Sequence, residues 1–471
     1  MKKRAYSFVM KRIIDISLFF LFVCIPLIVN PFAFDLWYKP KISAVYLLIV
    51  IITLSVSFRH LFLKYPLRFK SLPVLIPLIA YAGVTIISTV FSISPRLSLF
   101  GDIIRKESMF TLLAYVMLTF LFSQYVETER QYRSLLQGLL FSSILISING
   151  ILNYLGYYPI KQLVPFSARE GPGVGSLIGN PNFLGKYLVI IVPLFIAYYF
   201  SARKVTLNIF YSAGFMLCLC ALILTFTRAS WIGFLIEFVI FGLLTGKEIL
   251  RESKKKIFAS MLLICIIASI SICAVLPKEE GYFFNDVKDS IHSTFDFKKG
   301  TGVATRLFLW EKAIEIIKKR PLVGYGPDTN GLAMQSYNLE YCMKFNDWKK
   351  HMEGGKEIIK FYNWTVIDRA HNNYLDIAIA LGLIGLAAYM SIIITFLIWL
   401  WRTVKSEEDF FKRIIFCGIF ASFCGCLVND LFVFSIVSVS PTFWSLMGLT
   451  LAMKNIDKKT NYNVFTNSSE I

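Results

Sequence analysis

Three residues that can bind an anion or accept a proton each lie close to the predicted start of a helix. Arg228 and Arg306 both follow a threonine, and His371 precedes an asparagine. A helix N-terminus presents unpaired N–H groups and about half a positive charge. Arginine in addition matches phosphate oxygens through paired hydrogen bonds. If the three helix starts lie on one side of a membrane, they predict an anion site, suited to a pyrophosphate, just outside the bilayer.

The same arrangement predicts a chemical role for His371. A positive charge on its imidazole is disfavoured beside a helix N-terminus and near arginines, so we expect His371 to be neutral near pH 7. A neutral imidazole can act as a general base. The alternative interpretations are that His371 is only an interfacial polar residue and that the two arginines only anchor the membrane edge.

Other polar residues give weaker signals. Asp376 and Asp430 are predicted near the same membrane edge, close enough to join a polar site. Glu237 falls midway along a predicted span, where a charge is costly, so it is either neutral or paired. The nine cysteines fall in apolar spans, except Cys342, and we expect neither a disulfide nor a metal site.

The composition determines which elements must position these residues. Of the 471 residues, 56% are hydrophobic and 17% are charged, whereas soluble domains carry about 25% charged residues. Most soluble folds are therefore excluded. Apolar runs of about 20 residues, enough to cross about 30 Å of hydrocarbon, predict an all-α polytopic membrane protein with about twelve spans. The spans lie near residues 13–31, 42–58, 72–92, 108–126, 135–157, 184–201, 207–226, 229–246, 257–275, 372–401, 414–432 and 434–453.

The orientation follows from the distribution of Lys and Arg in the short connecting segments. If both termini are cytoplasmic, the inside segments hold 25 of these residues and the short outside segments hold 9. Positive residues resist translocation, so this orientation is expected. The net charge of +19 is then mostly a consequence of topology. No nucleic-acid partner is expected, because no basic helix or binding fold accompanies the charge.

The predicted organisation has three parts. Residues 1–275 form nine transmembrane helices, residues 276–370 form one large extracytoplasmic loop, and residues 371–471 form three transmembrane helices and a cytoplasmic tail. Within the loop, residues 305–320 have helical periodicity, with Glu315 and Lys319 paired four residues apart. This amphipathic helix is expected to end at Pro321 and to lie on the membrane surface. The residues on its apolar face are Leu309, Trp310, Ala313, Ile314 and Ile317.

Several short motifs resemble one known family, the O-antigen ligase and polymerase superfamily of bacterial membrane glycosyltransferases. The sequence HNNYLDIAIALGLIG, which begins at His371, matches the family pattern that ends in a Gly-x-x-Gly at Gly382 and Gly385. The supporting motifs are TRASW at residues 227–231, TR at 305–306, RPLVGYG at 320–326 and GNPN at 179–182. The resemblance runs from about residue 94 to residue 448.

This resemblance implies transfer of a glycan from undecaprenyl pyrophosphate to an acceptor hydroxyl on the outer side of the bacterial plasma membrane. It implies that Arg228 and Arg306 hold the pyrophosphate and that His371 activates the acceptor. Direct displacement implies inversion, without metal or cofactor. Arg105 and Arg169 are secondary candidates for donor contacts, and Asn372 is a further secondary site candidate.

The acceptor is left open by the sequence. A ligase transfers the glycan to a lipid or surface acceptor, a polymerase to another carrier-linked glycan, and an O-oligosaccharyltransferase to a protein hydroxyl. We favour a ligase. From a different class, a transporter of lipid-linked sugars would place its binding groups at the bilayer midplane, and only Glu237 favours that alternative.

Overall fold

The computed structural model describes residues 2–32, 35–66, 69–102, 105–158, 173–252, 302–345, 348–353, 356–361 and 366–467. Within these ranges the regular structure is helical, apart from one antiparallel hairpin of β1 (Trp348–Glu353) and β2 (Lys356–Phe361), in which Trp348 pairs with Phe361. The prediction of a helical membrane fold is confirmed.

The helices follow the order of the predicted apolar segments. Those before the loop are α1 (Lys2–Phe19), α2 (Tyr38–Leu61), α3 (Leu75–Val90), α4 (Pro95–Phe100), α5 (Met109–Tyr125), α6 (Glu129–Tyr154), α7 (Pro181–Ser201), α8 (Val205–Ile223) and α9 (Arg228–Glu252). The later ones are α10 (Gly302–Lys319), α11 (Asn330–Met334), α12 (Asn338–Phe345), α13 (Asn373–Ser406), α14 (Phe410–Asn429) and α15 (Ser440–Asn467). A π-helical turn, Phe20–Cys24, and a 3₁₀ turn, Ile25–Leu27, extend α1; further 3₁₀ turns are Ser176–Ile178 and Gln335–Tyr337.

Seven helices in the described ranges are long and apolar enough to cross a membrane, namely α2, α6, α7, α8, α9 up to Gly246, α13 and α14. Two shorter apolar helices, α3 and α5, accompany them. The chain is thus a multi-pass membrane protein. The predicted span 257–275 lies outside the described residues. The count of twelve spans and the boundaries of the large loop therefore stay predictions.

The helix ends gather on two opposite faces. One face, which we call the loop face, carries α10 and residues 366–372. On this face the start of α13 contacts the end of α14 through the Asn373 N–H, which donates to the Asp430 carbonyl at 2.8 Å. On the opposite face, Lys11 of α1 forms an ion pair with Glu127, which follows α5, at 2.6 Å. The ends joined on the loop face were both predicted to be outside, and the ends joined by Lys11 and Glu127 were both predicted to be inside.

Helix α7 forms the centre of the bundle. Its membrane-crossing window is 94% buried, and α14 and α9 pack closely beside it. Glycines permit this approach: a Cβ at Gly233 of α9 would lie 3.0 Å from the Gly425 carbonyl of α14. Two lysines, Lys41 and Lys186, are buried within α2 and α7.

Helix α13 is broken inside the predicted span 372–401. Gly382 has φ +71° and ψ −178°, which is not helical. The break leaves backbone groups on either side of Gly382 without helical partners, and residues 321–326 bond to them instead. The Tyr325 N–H donates to the Ile379 carbonyl at 2.9 Å, and the Leu383 N–H donates to the Pro321 carbonyl at 2.7 Å. Non-helical backbone at membrane depth requires such partners. Two sequence motifs, RPLVGYG and Gly-x-x-Gly, are therefore joined by backbone hydrogen bonds. We call this contact the interlock.

The loop helix α10 differs in detail from its prediction. It begins at Gly302 instead of residue 305 and ends before Pro321, as expected. Its buried side packs on the first part of α13, through contacts of the cluster that includes Leu309, Ala313 and Ala378, so protein covers most of the face that we predicted would lie on lipid. Ile314 is exposed. Glu315 forms an ion pair with Lys312 at 3.1 Å. The hydrogen bond from Lys312 lowers the pKa of Glu315, and the charge of Lys319 also lowers it.

The final span starts later than its prediction. Helix α15 begins at Ser440 instead of residue 434. Residues 430–439 form a mostly buried non-helical turn between α14 and α15 on the loop face, which we call the 430–439 turn. Apolar composition alone did not separate this turn from the helix that follows it.

Candidate functional site

The backbone around His371 is held in an uncommon conformation on the loop face. His371 has φ +52°, a region that non-glycine residues adopt rarely and mostly where the surroundings enforce it. The Asn372 side chain caps α13 by accepting hydrogen bonds from the N–H groups of Tyr374 and Leu375, at 3.0 and 3.2 Å. The Asp376 carboxylate accepts the Ala370 N–H at 2.9 Å. The turn is therefore fixed on both sides of His371.

Phe434, in the 430–439 turn, is the common neighbour of several charged groups. Its ring centroid lies 5.4 Å from that of His371, 5.0 Å from the Arg105 guanidinium carbon and 5.9 Å from that of Arg369. Aromatic rings attract cations through their negative faces. An imidazole and two guanidinium groups therefore all lie next to this one ring.

The second predicted arginine also lies next to this turn. The Arg306 guanidinium carbon is 5.8 Å from the ring centroid of Phe432, and Trp310, one turn further along α10, is 6.2 Å from the same ring. Among the described residues, no carboxylate lies within ion-pair distance of Arg306. Burial lowers the pKa of Arg306, and the nearby positive charge of Arg228 lowers it further.

Arg228 reaches the same region from α9. A Cβ built on Gly302, at the start of α10, would lie 3.3 Å from Nη2 of Arg228. The turn that leads to it has no glycine or proline; Phe226 supplies the reversal with φ +51°. The hydroxyls of Thr225 and Thr227 hydrogen-bond each other across this turn at 2.8 Å. Arg228 therefore lies at the membrane edge, on the loop face.

The electrostatic surroundings make His371 neutral. Burial, followed by the positive charges of Arg306, Arg105 and Arg369, lowers the pKa of His371 to about 4, although the carboxylate of Asp368 opposes the shift. This agrees with the charge state expected from the sequence. The structure thus brings Arg105, Arg228, Arg306 and His371 together, and we call them the arginine–histidine cluster.

Arg105 is engaged by an acidic partner. Its Nε and Nη2 atoms both lie 2.6 Å from one carboxylate oxygen of Asp368. The side chains of this pair are 22% and 37% exposed, so solvent and ligands reach them. An incoming anion would compete with Asp368 for Arg105.

A set of buried charged residues lies behind Phe434. Arg369 forms a buried ion pair with Asp328, whose other carboxylate oxygen accepts the Asp102 N–H at 2.6 Å. Glu107 accepts hydrogen bonds from Tyr115 at 2.8 Å and Ser435 at 3.0 Å. Burial raises the pKa of Glu107 to about 7. These residues line a cavity of about 60 Å³.

The remaining candidates have positioning contacts or lie apart. Asp430 pairs with the buried Lys186 and accepts a hydrogen bond from the Asn373 side chain at 3.2 Å. Glu237 lies deep in α9, with neither carboxylate oxygen bonded to a described residue, away from the loop face. Arg169 lies outside the described residues.

Four residues of the site were not predicted from the sequence: Phe434, Asp368, Arg369 and Asp328. Phe434 was counted as part of a span, and the others belong to no motif that we recognised. One local signal was present: Asp368 and Arg369 come directly before the His371 motif, and Asp328 follows a Gly-x-Gly-Pro segment at residues 324–327.

The site and fold thus define a multi-pass membrane protein with a cationic cluster and a neutral histidine at one membrane edge. The family model described as O-antigen ligase matches residues 213–390, which include Arg228, Arg306, His371 and the broken part of α13. The chain is also 23% identical, over 321 residues, to a ComP-specific O-oligosaccharyltransferase of Acinetobacter baylyi. That match covers 68% of this chain and 50% of the relative, so the chain spans about half of the relative's length. Both comparisons confirm the resemblance to the O-antigen ligase superfamily.

Proposed function

We propose that this protein is an O-antigen ligase-like glycosyltransferase, which moves an oligo- or polysaccharide from undecaprenyl pyrophosphate to an acceptor hydroxyl on the outer side of the bacterial plasma membrane. The observation that carries the proposal is the arginine–histidine cluster, in which a neutral His371 lies beside cations at one membrane edge. The family model supports the reaction class. The loop face is then the extracytoplasmic face, and both termini are cytoplasmic.

Each residue of the cluster has a role in a direct displacement. The acceptor hydroxyl gives its proton to His371 while its oxygen bonds to the anomeric carbon of the donor sugar. The bond from that carbon to the pyrophosphate oxygen breaks, and its electron pair leaves with the pyrophosphate. Arg228 and Arg306 stabilise the negative charge that develops there. One displacement inverts the anomeric configuration, and none of these steps requires a metal ion or cofactor.

Donor binding would also strengthen the base. Burial, together with the surrounding arginines, holds the pKa of His371 at about 4, and a group with so low a pKa is a weak base. A bound pyrophosphate places negative charge beside the same arginines, which raises the pKa of His371. Proton transfer is then favoured only when the donor is present.

A second acceptor class is supported by one observation. The Acinetobacter baylyi relative is an O-oligosaccharyltransferase specific for ComP, so transfer to a protein hydroxyl is the alternative to a lipid or glycan acceptor. A polymerase, which would use a second carrier-linked glycan, shares the same chemistry.

The test is transfer by purified protein in detergent from a labelled undecaprenyl-pyrophosphate oligosaccharide to a panel of lipid, glycan and peptide acceptors. We expect transfer that survives EDTA, gives an inverted linkage by NMR, and disappears in His371→Ala. His60→Ala, which changes an exposed histidine on the opposite face, is the matched control. If no acceptor is used and liposomes containing the protein instead move the lipid-linked sugar across the bilayer, the chain is a transporter.

A further inference from the structure

Ser435, in the 430–439 turn, is the centre of a group of hydrogen bonds on the loop face. Its hydroxyl donates to the Glu107 carboxylate at 3.0 Å and shares a second hydrogen bond with the Ser440 hydroxyl at 2.8 Å. Its N–H donates to the Asn373 side-chain oxygen at 3.0 Å. Glu107 lies just before α5, Asn373 begins α13 and Ser440 begins α15. One serine therefore connects the turn to three other segments, and we call these bonds the Ser435 junction.

The Ser435 junction also restrains Phe434, the residue directly before Ser435. The peptide group between the two residues has a polar partner at each end. The Phe434 carbonyl oxygen lies 3.5 Å from the Lys186 ammonium, and the Ser435 N–H is bonded as described above. The position of the ring beside His371 and Arg105 is therefore coupled to the bonds that Ser435 makes.

Glu107 connects the junction to the cluster from a second side. It lies two residues after Arg105 in the same short segment. Its carboxylate also accepts a hydrogen bond from the Tyr115 hydroxyl of α5 at 2.8 Å. The Arg105 segment is thereby held against the 430–439 turn, while Asn373 holds the turn against the start of α13, two residues after His371.

Stability alone does not account for a buried carboxylate at this position. Glu107 is only 6% exposed, and burial of a charge costs free energy. The nearest opposite charge, on Arg369, is already paired with Asp328. Apolar side chains of similar volume often stabilise a protein as well as buried ionic groups do. Hydrogen bonds, however, fix both distance and direction, and a buried polar network makes a structure more rigid.

We propose that Glu107 and Ser435 are positioning residues for glycan transfer, because their hydrogen bond holds the Phe434 ring beside His371. This assignment rests on the proposed function, since it concerns the geometry of that reaction. The two residues act through Phe434, which contributes to the burial of the imidazole. Displacement of a catalytic group by about 1 Å can lower a rate by about 10²-fold. Loss of the junction should therefore slow transfer more than it weakens donor binding.

The test measures transfer by purified full-length variants with the labelled donor over a range of pH. In Ser435→Ala, we expect kcat to fall by about tenfold to hundredfold. The donor KM should change by less than about threefold, because Arg228 and Arg306 belong to other elements. The pH at which kcat/KM for the donor rises should move upward, because the pKa of a less buried His371 lies nearer to its ordinary value of 6.5. A simple loss of folded protein would instead lower the rate without moving this pH.

Three further variants separate the junction from general effects on the turn. Ser438→Ala is the matched control, because it removes a buried hydroxyl of the same turn that has no hydrogen-bond partner among the described residues. It should transfer glycan like the wild type. Ser435→Thr keeps the hydroxyl and should retain most of the rate. Glu107→Gln keeps the shape of the side chain and should move the pH profile in the same direction, which tests the junction if Ser435→Ala folds poorly.

The double variant Glu107→Gln/Ser435→Ala shows whether the two residues act together. Its loss of kcat should be smaller than the product of the two single losses, because both substitutions affect the same bond. Losses that multiply would overturn the assignment, and so would a Ser435→Ala protein with the wild-type rate and pH profile. Both of these outcomes leave the proposed function intact. If the wild type transfers glycan to none of the acceptors, the proposed function fails, and the assignment fails with it.

Discussion

At the scale of single residues, His371 combines an enforced backbone conformation with an environment that removes its charge. Its φ of +52° is maintained by the Asn372 cap and by the Asp376 hydrogen bond to the preceding residue. Arginines on two sides disfavour the imidazolium form. Both properties suit a general base, which must be neutral before it accepts a proton.

Substitution of His371 should remove transfer while leaving donor binding nearly intact. We expect His371→Ala to lower kcat by 10²- to 10⁴-fold, which is the usual contribution of a general base. In the wild type, kcat/KM for the donor should rise with pH through the pKa of the free enzyme, about 4, and be flat from pH 6 to 8. The rise in kcat should occur at higher pH, because bound pyrophosphate raises the pKa of His371. If kcat and kcat/KM rise at the same pH, the coupling to the donor is contradicted.

Removal of the charge on Asp368 should strengthen donor binding. In Asp368→Asn, Arg105 loses its ionised partner and becomes available to the pyrophosphate, so we expect the donor Kd to fall by about threefold to tenfold. A charge-assisted hydrogen bond to arginine is stronger than a neutral one. The measurement is titration with a non-transferable pyrophosphate lipid, with Asp35→Asn, a carboxylate on the same face but outside the cluster, as the control. A weaker affinity would show that Asp368 supports the site instead of competing for Arg105.

The sequence could predict the cationic part of this site but not its centre. Arginine and histidine at helix starts have recognisable chemistry and spacing, so Arg228, Arg306 and His371 were found. Phe434 is one of 43 phenylalanines, and nothing local distinguishes it. Its role depends on contacts with residues far away in the chain, which only the fold brings together.

At the scale of elements, the break in α13 determines where the His371 turn lies relative to the loop. Residues 321–326 bond to the backbone exposed on both sides of Gly382. A Cβ at Gly324 would lie 2.5 Å from the Gly382 nitrogen, so the two segments approach as closely as glycine allows. The first part of α13 is therefore fixed against the loop and α10.

Substitution of Gly382 should destabilise the protein severely. Its φ of +71° is unfavourable for other residues, and a Cβ there would overlap the Leu322 carbonyl. We expect Gly382→Ala to lower the free energy of unfolding by more than about 2 kcal/mol. Gly242→Ala, in α9 with no atom within 4 Å of the new Cβ, should be neutral or stabilising by up to about 1 kcal/mol. Thermal unfolding in detergent compares them, and similar midpoints would disprove the interlock.

Hydrophobic periodicity could locate α13 but not its break. A glycine within an apolar run does not show whether the helix continues, and the residues that satisfy the broken backbone lie in a separate motif. The same limit explains the error at residue 434. The buried 430–439 turn is as apolar as a helix, because its polar backbone groups are hidden by tertiary contacts.

At the scale of the whole molecule, one buried ion pair connects the central helix to the site. Lys186 of α7 pairs with Asp430, and Asp430 also holds Asn373 at the start of α13. We expect Lys186→Met to destabilise the protein by about 3–5 kcal/mol, because it leaves a buried carboxylate without its partner. Lys186→Met/Asp430→Asn should recover part of this loss. A double variant that is as unstable as the sum of the single variants would exclude the coupling.

The two faces of the molecule can be assigned by chemical labelling. Lys39 and Arg203 are both exposed and lie on the loop face and the opposite face, respectively. In intact cells, Lys39→Cys should react with a membrane-impermeant maleimide, whereas Arg203→Cys should react only after permeabilisation. The wild-type chain, with its native cysteines, gives the background. The reverse pattern would place the arginine–histidine cluster in the cytoplasm and exclude the proposed orientation.

The Arg105–Asp368 pair has a consequence for turnover. In the proposed reaction, undecaprenyl pyrophosphate would depart with one more ionisable oxygen than the donor, so it would bind arginines more tightly than the donor does. A pyrophosphate site that contained only cations would retain this product and be inhibited by it. Asp368, which bonds Arg105 in the structure, would compete with this product for the guanidinium group. We therefore expect the Asp368 carboxylate to accelerate release of undecaprenyl pyrophosphate. The Arg105–Asp368 pair would then determine the rate of repeated transfers.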